Sequence, residues 1–239
     1  MVVAYDGTNF QGFQYQPDQR TVQGVMEELL SELFQERVRI IGAGRTDAGV
    51  HALGQVVNFH ARCPIPKERL VVAMNSILPP DIRVQSATFV HPRFHARFDA
   101  KSRVYRYTIH ERRVENPLTS RYAWHVPHRL DVERMQEAAQ YLVGVHDFRT
   151  FCKGAKEVEN TVREVKEIRC TRRGNFVTVT IEASSFLRQM VRIIVASLVE
   201  VGRGAKPPEW VREILEARER RVAPEAAPPQ GLCLLKVKY

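Results

Sequence analysis

The sequence predicts an α+β chain made of α/β-type units: two tandem ferredoxin-like β-α-β-β-α-β halves sharing a mixed, mainly antiparallel sheet, with helices on one face and an open cleft on the other. Three observations predict it. Period-two apolar runs and helical apolar stripes alternate in that order. The same order then returns in the second half without obvious identity, as an internal duplication would leave it. With 239 residues, 44% of them hydrophobic and 26% charged, the chain can bury a core without disulfide staples, and its 8% aromatic share excludes disorder.

In the first half, 1–95, Met1 to Tyr5 is a short apolar strand. Thr21 offers an N-cap to a helix whose stripe is Val22, Val25, Met26, Leu29, Leu30 and Leu33. Val38 to Ile41 and Gln55 to Ala61 read as β-branched strands. Pro66 opens a helix carrying Leu70, Ala73, Met74 and Ile77, and Ile82 to Phe89 closes the unit.

In the second half, 96–239, a strand over Arg103 to Ile109 precedes a helix from Asp131 through Met135, Ala138, Ala139 and Leu142. Strands Val162 to Cys170 and Asn175 to Ala183 flank a turn at Arg173-Gly174. A helix over Phe186 to Val201 and a strand over Leu232 to Tyr239 complete the pattern. Between them lies an insertion, 202–231, with five of the 13 prolines and a helix at Glu209 to Arg220, expected to be a surface excursion.

The charge balance is the unusual figure: 36 basic residues against 27 acidic, a formal charge of +9, with 28 of the 36 being arginine. Such a surplus points to a polyanion, and guanidinium forks suit phosphate, although base composition or heat adaptation also enriches arginine. The longest uncharged stretch near the end, Ile193 to Val199, is too short to span a bilayer. With no basic leader and apolar signal core, the chain is expected in the cytoplasm. Cys63, Cys152, Cys170 and Cys233 form no C-x-x-C pair, which suits reduced thiols better than disulfides or zinc.

The connection Gly42 to Gly54 between the first half's central strands is long where the second half has a tight turn, and reads Gly42-Ala-Gly-Arg-Thr-Asp-Ala-Gly-Val-His51. Its glycines permit positive φ and close backbone approach around Arg45 and Asp47. Asp47 there is either a turn residue capping amides or a carboxylate with chemistry to do. A dinucleotide loop is excluded because Asp47 stands where the third glycine belongs and would repel pyrophosphate, and no Walker A lysine occurs.

From His91 to Arg113 the chain carries Arg93, Arg97, Lys101, Arg103, Arg106, Arg112 and Arg113, with Phe94, Phe98, Tyr105 and Tyr107 interleaved. Cations for phosphates and aromatics for unstacked bases compose an RNA-binding surface, and they equally compose a solvated strand with its rings in the core. Arg163, Lys166, Arg169, Arg172 and Arg173 are expected to extend the same positive field. His91 and His95, and His125 and His128, stand at ligand-like spacing but have no third ligand in a metal motif, so no metal is expected. The helix starting at Ser185 is apolar nearly all round except Arg188, Gln189 and Arg192, so it is buried, and its cations need an acid partner: a structural one, or Asp47.

Gly44-Arg-Thr-Asp-Ala-Gly-Val-His51, Phe94-His-Ala-Arg-Phe98, Arg103-Val-Tyr-Arg-Tyr107, Phe186-Leu-Arg-Gln-Met-Val-Arg192 and Gly231-Leu232 together resemble the tRNA pseudouridine synthase A family, in order and over nearly the whole chain. The resemblance implies an isomerase that uses no cofactor and converts uridines at positions 38, 39 and 40 of the tRNA anticodon stem and loop to pseudouridine in a catalytic cleft. On the matching positions, Asp47 is the catalytic aspartate, Tyr105 stacks on the uracil and takes part in removing the C5 proton, Arg192 pairs with Asp47, and Leu232 walls the pocket. Arg45 matches the residue associated with base flipping, a step that costs a few kcal/mol. Phe94, His95, Ala96, Arg97 and Phe98 match a tRNA-contact segment, and Lys153 and Lys156 lie in a second, loosely aligned one. The family works as a homodimer. The competing class is a non-catalytic tRNA-binding or tRNA-folding module, which the same charge would serve.

Overall fold

A computed structural model describing residues 1–63 and 65–239 groups the chain into two units, Met1–Lys101 with Cys233–Tyr239, and Ser102–Leu232. The described residues form ten strands, paired mostly antiparallel, and five α-helices, so the chain is of mixed α and β class.

The first unit runs β1 (Val2–Tyr5), α1 (Val22–Phe34), β2 (Ile41–Gly42), β3 (His51–Asn58), α2 (Lys67–Ile77) and β4 (Ile82–Ser86). Thr21 caps α1 as expected, its hydroxyl accepting from Gly24 N at 3.1 Å, and Val22, Met26, Leu30 and Phe34 turn inward at fourfold spacing. In the sheet β1 lies between β4 and β3, antiparallel to both.

The expected strand over Val38 to Ile41 shrinks to two residues, and α1 is the reason. Buried Glu27 accepts from Ile40 N at 2.9 Å, from Arg39 Nη1 at 2.6 Å and from Gln23 Nε2 at 2.8 Å, while Ser31 Oγ accepts from Val38 N at 2.9 Å. Side chains of the helix thus take the amides a neighbouring strand would use. β3 in turn starts at His51, earlier than expected, which shortens the preceding connection to residues 43–50.

The second unit holds β5 (Ser102–Glu111), β6 (Trp124–Val126), α3 (Val132–Gln140), β7 (Gly144–Asp147), β8 (Val162–Arg173), β9 (Phe176–Ala183), α4 (Met190–Gly202) and α5 (Trp210–Ala217). Its strand order is β5-β9-β8-β7, with eight registered pairs from Arg103↔Ala183 to His110↔Phe176 between β5 and β9. β6 and β7 were not expected: three and four residues are too few to show an alternation. Asp131 caps α3 by accepting from Arg134 N at 3.1 Å.

α4 is buried all round from Ile193 through Val199, as its apolar sequence requires. It starts later than expected because Gln189 takes a left-handed φ of 60°, which a helix interior cannot hold. Segment 202–231 corrects a second expectation. It is not a surface excursion, since Val211, Ile214 and Leu215 of α5 and Ala223 and Ala227 beyond it are all buried. Ala227 N donates to Arg192 O at 3.1 Å, and Tyr107 Oη donates to Pro228 O at 2.7 Å.

The last strand, β10 (Leu232–Lys238), runs parallel to the start of β3, with Cys233 beside His51 and Leu234 beside Ala52. The duplication pattern gives this strand to the second half; contacts group Cys233–Tyr239 with the first unit. It passes so close that a Cβ on Gly54 would sit 2.3 Å from Leu235 O, a backbone atom with no room to yield. Gly54→Ala is therefore expected to cost about 1–3 kcal/mol, the scale of forced overpacking, and urea unfolding measures it.

Candidate functional site

The backbone of segment 43–50 is held at several points from outside itself. Ala43 N donates to Val56 O at 2.8 Å, and Gln55 Nε2 donates to Gly44 O at 2.8 Å. Phe13 N donates to Thr46 O at 3.0 Å, and Gly49 N donates to Phe10 O at 3.3 Å. Beneath these, the Tyr5 phenol and the Thr46 hydroxyl meet at 2.8 Å, both residues buried. Burial pushes the Tyr5 phenol far above its ordinary value, so its proton stays available for this bond.

Asp47 opens a four-residue turn that Val50 N closes on Asp47 O at 3.2 Å, with Gly49 at φ +76°, the left-handed angle a type II turn needs at its third position. Asp47 is half-buried, whereas Arg45 is exposed and makes no hydrogen bond or ion pair with the described residues. Chain 7–13 lies against this turn. A Cβ on Gly7 would fall 2.0 Å from Val50 O, and one on Gly12, at φ +97°, would fall 2.8 Å from Thr46 O.

Sequence reasoning missed Tyr5, Gly7, Gly12, Phe13 and Gln55 as supports of the loop. The two glycines two and seven residues beyond the end of β1 were the only signal available, and their partner was not readable. Asp6 also faces the loop's far end, its Oδ1 lying 3.2 Å from His51 Nδ1, which accepts from Gly7 N at 3.0 Å.

Phe94 to Phe98 forms a second ordered feature of the first unit. His95 Nδ1 accepts from both Arg97 N and Phe98 N at 3.2 Å, and Asp99 Oδ2 accepts from His95 N at 2.9 Å. Ala96 is buried, with its N donating to Asn58 Oδ1 and its O accepting from Tyr239 Oη, each at 2.8 Å. This fixes a turn that presents Phe98 at 74% exposure, with the His95 ring 4.2 Å away and the Arg97 guanidinium 5.6 Å from its centre. Phe94 packs instead on Tyr239 at 5.1 Å.

The second unit holds the other three. Tyr105 lies in β5 opposite Ile181, buried, with Phe186 meeting its ring edge-on at 5.1 Å. Arg192, in the first turn of α4, donates from Nε to Ala227 O at 2.7 Å. Leu232 is the buried first residue of β10.

Several cations expected to form one positive field are committed elsewhere. Arg172 donates to both oxygens of buried Glu111, at 2.9 and 3.1 Å, and to Leu130 O, so it is a structural ion pair. Arg169 pairs with Glu167, and Arg103 is buried, donating to Ser184 O at 2.8 Å. His91 Nδ1 accepts from Arg93 N at 3.2 Å and His125 Nε2 lies 2.6 Å from Arg112 O, so ring nitrogens of the ligand-like pairs meet backbone. Among the described residues no group of three or more His, Cys, Asp or Glu could hold a metal, all four cysteines are free, and no helix is long and apolar enough to cross a membrane.

The family model for tRNA pseudouridine synthase matches residues 1–99 and 138–239. The chain belongs to the tRNA pseudouridine synthase family. Relatives named tRNA pseudouridine synthase A are 46% identical in Pseudothermotoga lettingae over 239 residues and 46% in Moorella thermoacetica over 241, each covering 100% of this chain and 98% of the relative. One from Brevibacillus brevis is 47% identical over 238 residues, with the same coverage. The ranges that the synthase model matches hold Arg45, Asp47, Phe94 to Phe98, Arg192 and Leu232, while Tyr105 falls in the unmatched stretch that only the full-length relatives cover.

The support of the synthase loop has a measurable consequence. Tyr5→Phe removes the partner of a buried hydroxyl and is expected to cost about 1 kcal/mol. Because Tyr5 holds its proton in the fold and would ionise near 10 when unfolded, stability falls above that pH. The variant loses its share of this alkaline decline, which thermal melts from neutral to strongly alkaline pH resolve.

Proposed function

We propose that this chain isomerises uridine to pseudouridine in tRNA, at positions 38, 39 and 40 of the anticodon stem and loop, with Asp47 as the nucleophile. The observation that carries the reading is a family match over both units, with the Gly44-to-His51 motif on a loop that Tyr5 and Gln55 brace.

The chemistry explains the residue types. Uracil must leave the ribose C1′ through N1 and rejoin it through C5, so one C–N bond breaks, one C–C bond forms, C5 gives up a proton and N1 gains one. A carboxylate that adds covalently, at C1′ or at uracil C6, splits this exchange into two easier steps. No electrons are gained or lost, so the reaction needs no redox partner.

Tyr105 is the ring that stacks on the uracil and takes part in removing the C5 proton, Arg192 is the cation the family pattern pairs with the carboxylate, and Leu232 bounds the base. Arg45, exposed and uncommitted, takes the space a flipped nucleotide leaves. Phe94, His95, Ala96, Arg97 and Phe98 contact the tRNA, Phe98 by virtue of an exposed ring on a fixed turn. The finer fold reading, two ferredoxin-like halves in tandem around a cleft, rests on element order, as does the division near residue 95. A homodimer acting in the cytoplasm is the form that the family pattern supports.

Release of tritium from C5-labelled uridine in tRNA measures the reaction directly. Asp47→Ala is expected to abolish release, by at least about 10³-fold, with tRNA binding retained. Normal release by this variant removes Asp47 from the chemistry. Binding by the unaltered chain with no pseudouridine formed on nucleoside analysis favours the non-catalytic module instead.

A further inference from the structure

In the second unit three arginines converge, and no carboxylate among the described residues answers any of them. Arg149 begins the 3₁₀ turn Arg149–Phe151, Arg163 is the second residue of β8, and Arg188 lies in the link from β9 to α4. Lys153 N donates to Arg188 O at 3.1 Å, tying the segment after the turn to that link. Val162 of β8 pairs with Asp147, whose Oδ1 accepts from Arg149 N at 3.0 Å.

All three act on Cys152, which is fully buried. All three guanidiniums favour its thiolate, yet burial outweighs them and raises the thiol, so the sulfur remains neutral and supplies no counter-charge. Asp147 does not supply it either, being engaged by Thr161 Oγ1 at 2.5 Å and by Arg218 at 3.7 Å.

Arg163 is half-buried and short of acceptors. Its Nη1 reaches the carbonyls of Asn160 and Val162 at 2.9 and 2.6 Å, while its buried Nε has no partner. Arg149 and Arg188 are exposed, and among the described residues their guanidiniums make no hydrogen bond or ion pair. Directly after Arg188, α4 begins with no side-chain cap on its 13 residues, adding the positive end of a helix dipole.

We propose that Arg149, Arg163 and Arg188 form a binding site for one phosphodiester of an RNA backbone. A phosphate brings charge together with several acceptor oxygens, which is what planar guanidinium forks match and what a single protein carboxylate at this point would otherwise provide. The assignment of that RNA as tRNA rests on the proposed function; the phosphate site does not.

The test uses the full chain carrying Arg149→Gln, Arg188→Gln and both together, since these exposed residues can be changed without touching the carbonyl contacts of Arg163. Anisotropy titrations with labelled tRNA, and with a labelled RNA duplex lacking uridine, are run between about 50 and 200 mM salt. For the double variant, affinity is expected to fall at least about tenfold at low salt on both RNAs, with a salt slope shallower by roughly 0.7–0.9, one phosphate's share. The melting midpoint is expected to stay as in the unaltered chain. Unshifted slopes on both RNAs overturn the site, whatever the release assay shows. A shifted slope with no release from the unaltered chain keeps the site and overturns the enzymatic reading. Lysine at both positions restores the slope if charge at this point is what binds.

Discussion

A carboxylate proposed to attack carbon must be held still, and the loop that carries Asp47 leans on a 2.8 Å bond between two hydroxyls, Tyr5 Oη and Thr46 Oγ1. The loop bearing Asp47 has little secondary structure of its own, so its position is inherited from β1 through Tyr5 and from β3 through Gln55. Neither support touches Asp47 through its side chain in these bonds. They fix the backbone on both sides of it, and the turn that Val50 N closes, with Gly49 at its left-handed position, then sets the direction in which Asp47 leaves the chain. Rigid scaffolds commonly present reactive groups on loops in this way.

The arginine surplus divides into two populations with different physics. Arg172 with Glu111, Arg39 with Glu27 and Arg20 with Asp81 are paired at 2.6 to 2.9 Å, and two of these pairs have a carboxylate that is 7% exposed. Breaking such a buried pair from one side leaves an uncompensated charge and typically costs several kcal/mol. Arg45, Arg149 and Arg188 belong to the other population, exposed and with no carboxylate partner among the described residues. Formal charge counts both alike, whereas only the second is available to a polyanion.

Much of the fold was legible in the sequence where a local rule decides the outcome. The caps at Thr21 and Asp131, the hairpin at Gly174 and the buried helix α4 all follow from side-chain chemistry within one turn or one strand. Legibility failed where distant atoms compete for the backbone. Nothing local in Val38 to Ile41 shows that Glu27 and Ser31 will take its amides, and nothing in the prolines of 202–231 shows that Ala227 will be tied to Arg192. The candidate site divides the same way. Asp47 and Arg45 announce themselves by motif, while Tyr5 and Gln55 look like ordinary strand residues until the loop they support is in place.

The place of β10 bears on how the chain is made. During synthesis the first unit's β3 is complete early, yet the strand that lies against His51 and Ala52 is translated only after the whole of Ser102–Leu232. Until then that stretch of β3 keeps unpaired amides and carbonyls, an open edge of the kind that recruits other strands. Until Cys233–Tyr239 is made the first unit lacks this pairing, and the sequence order alone therefore sets an interval in which that edge is open to other strands.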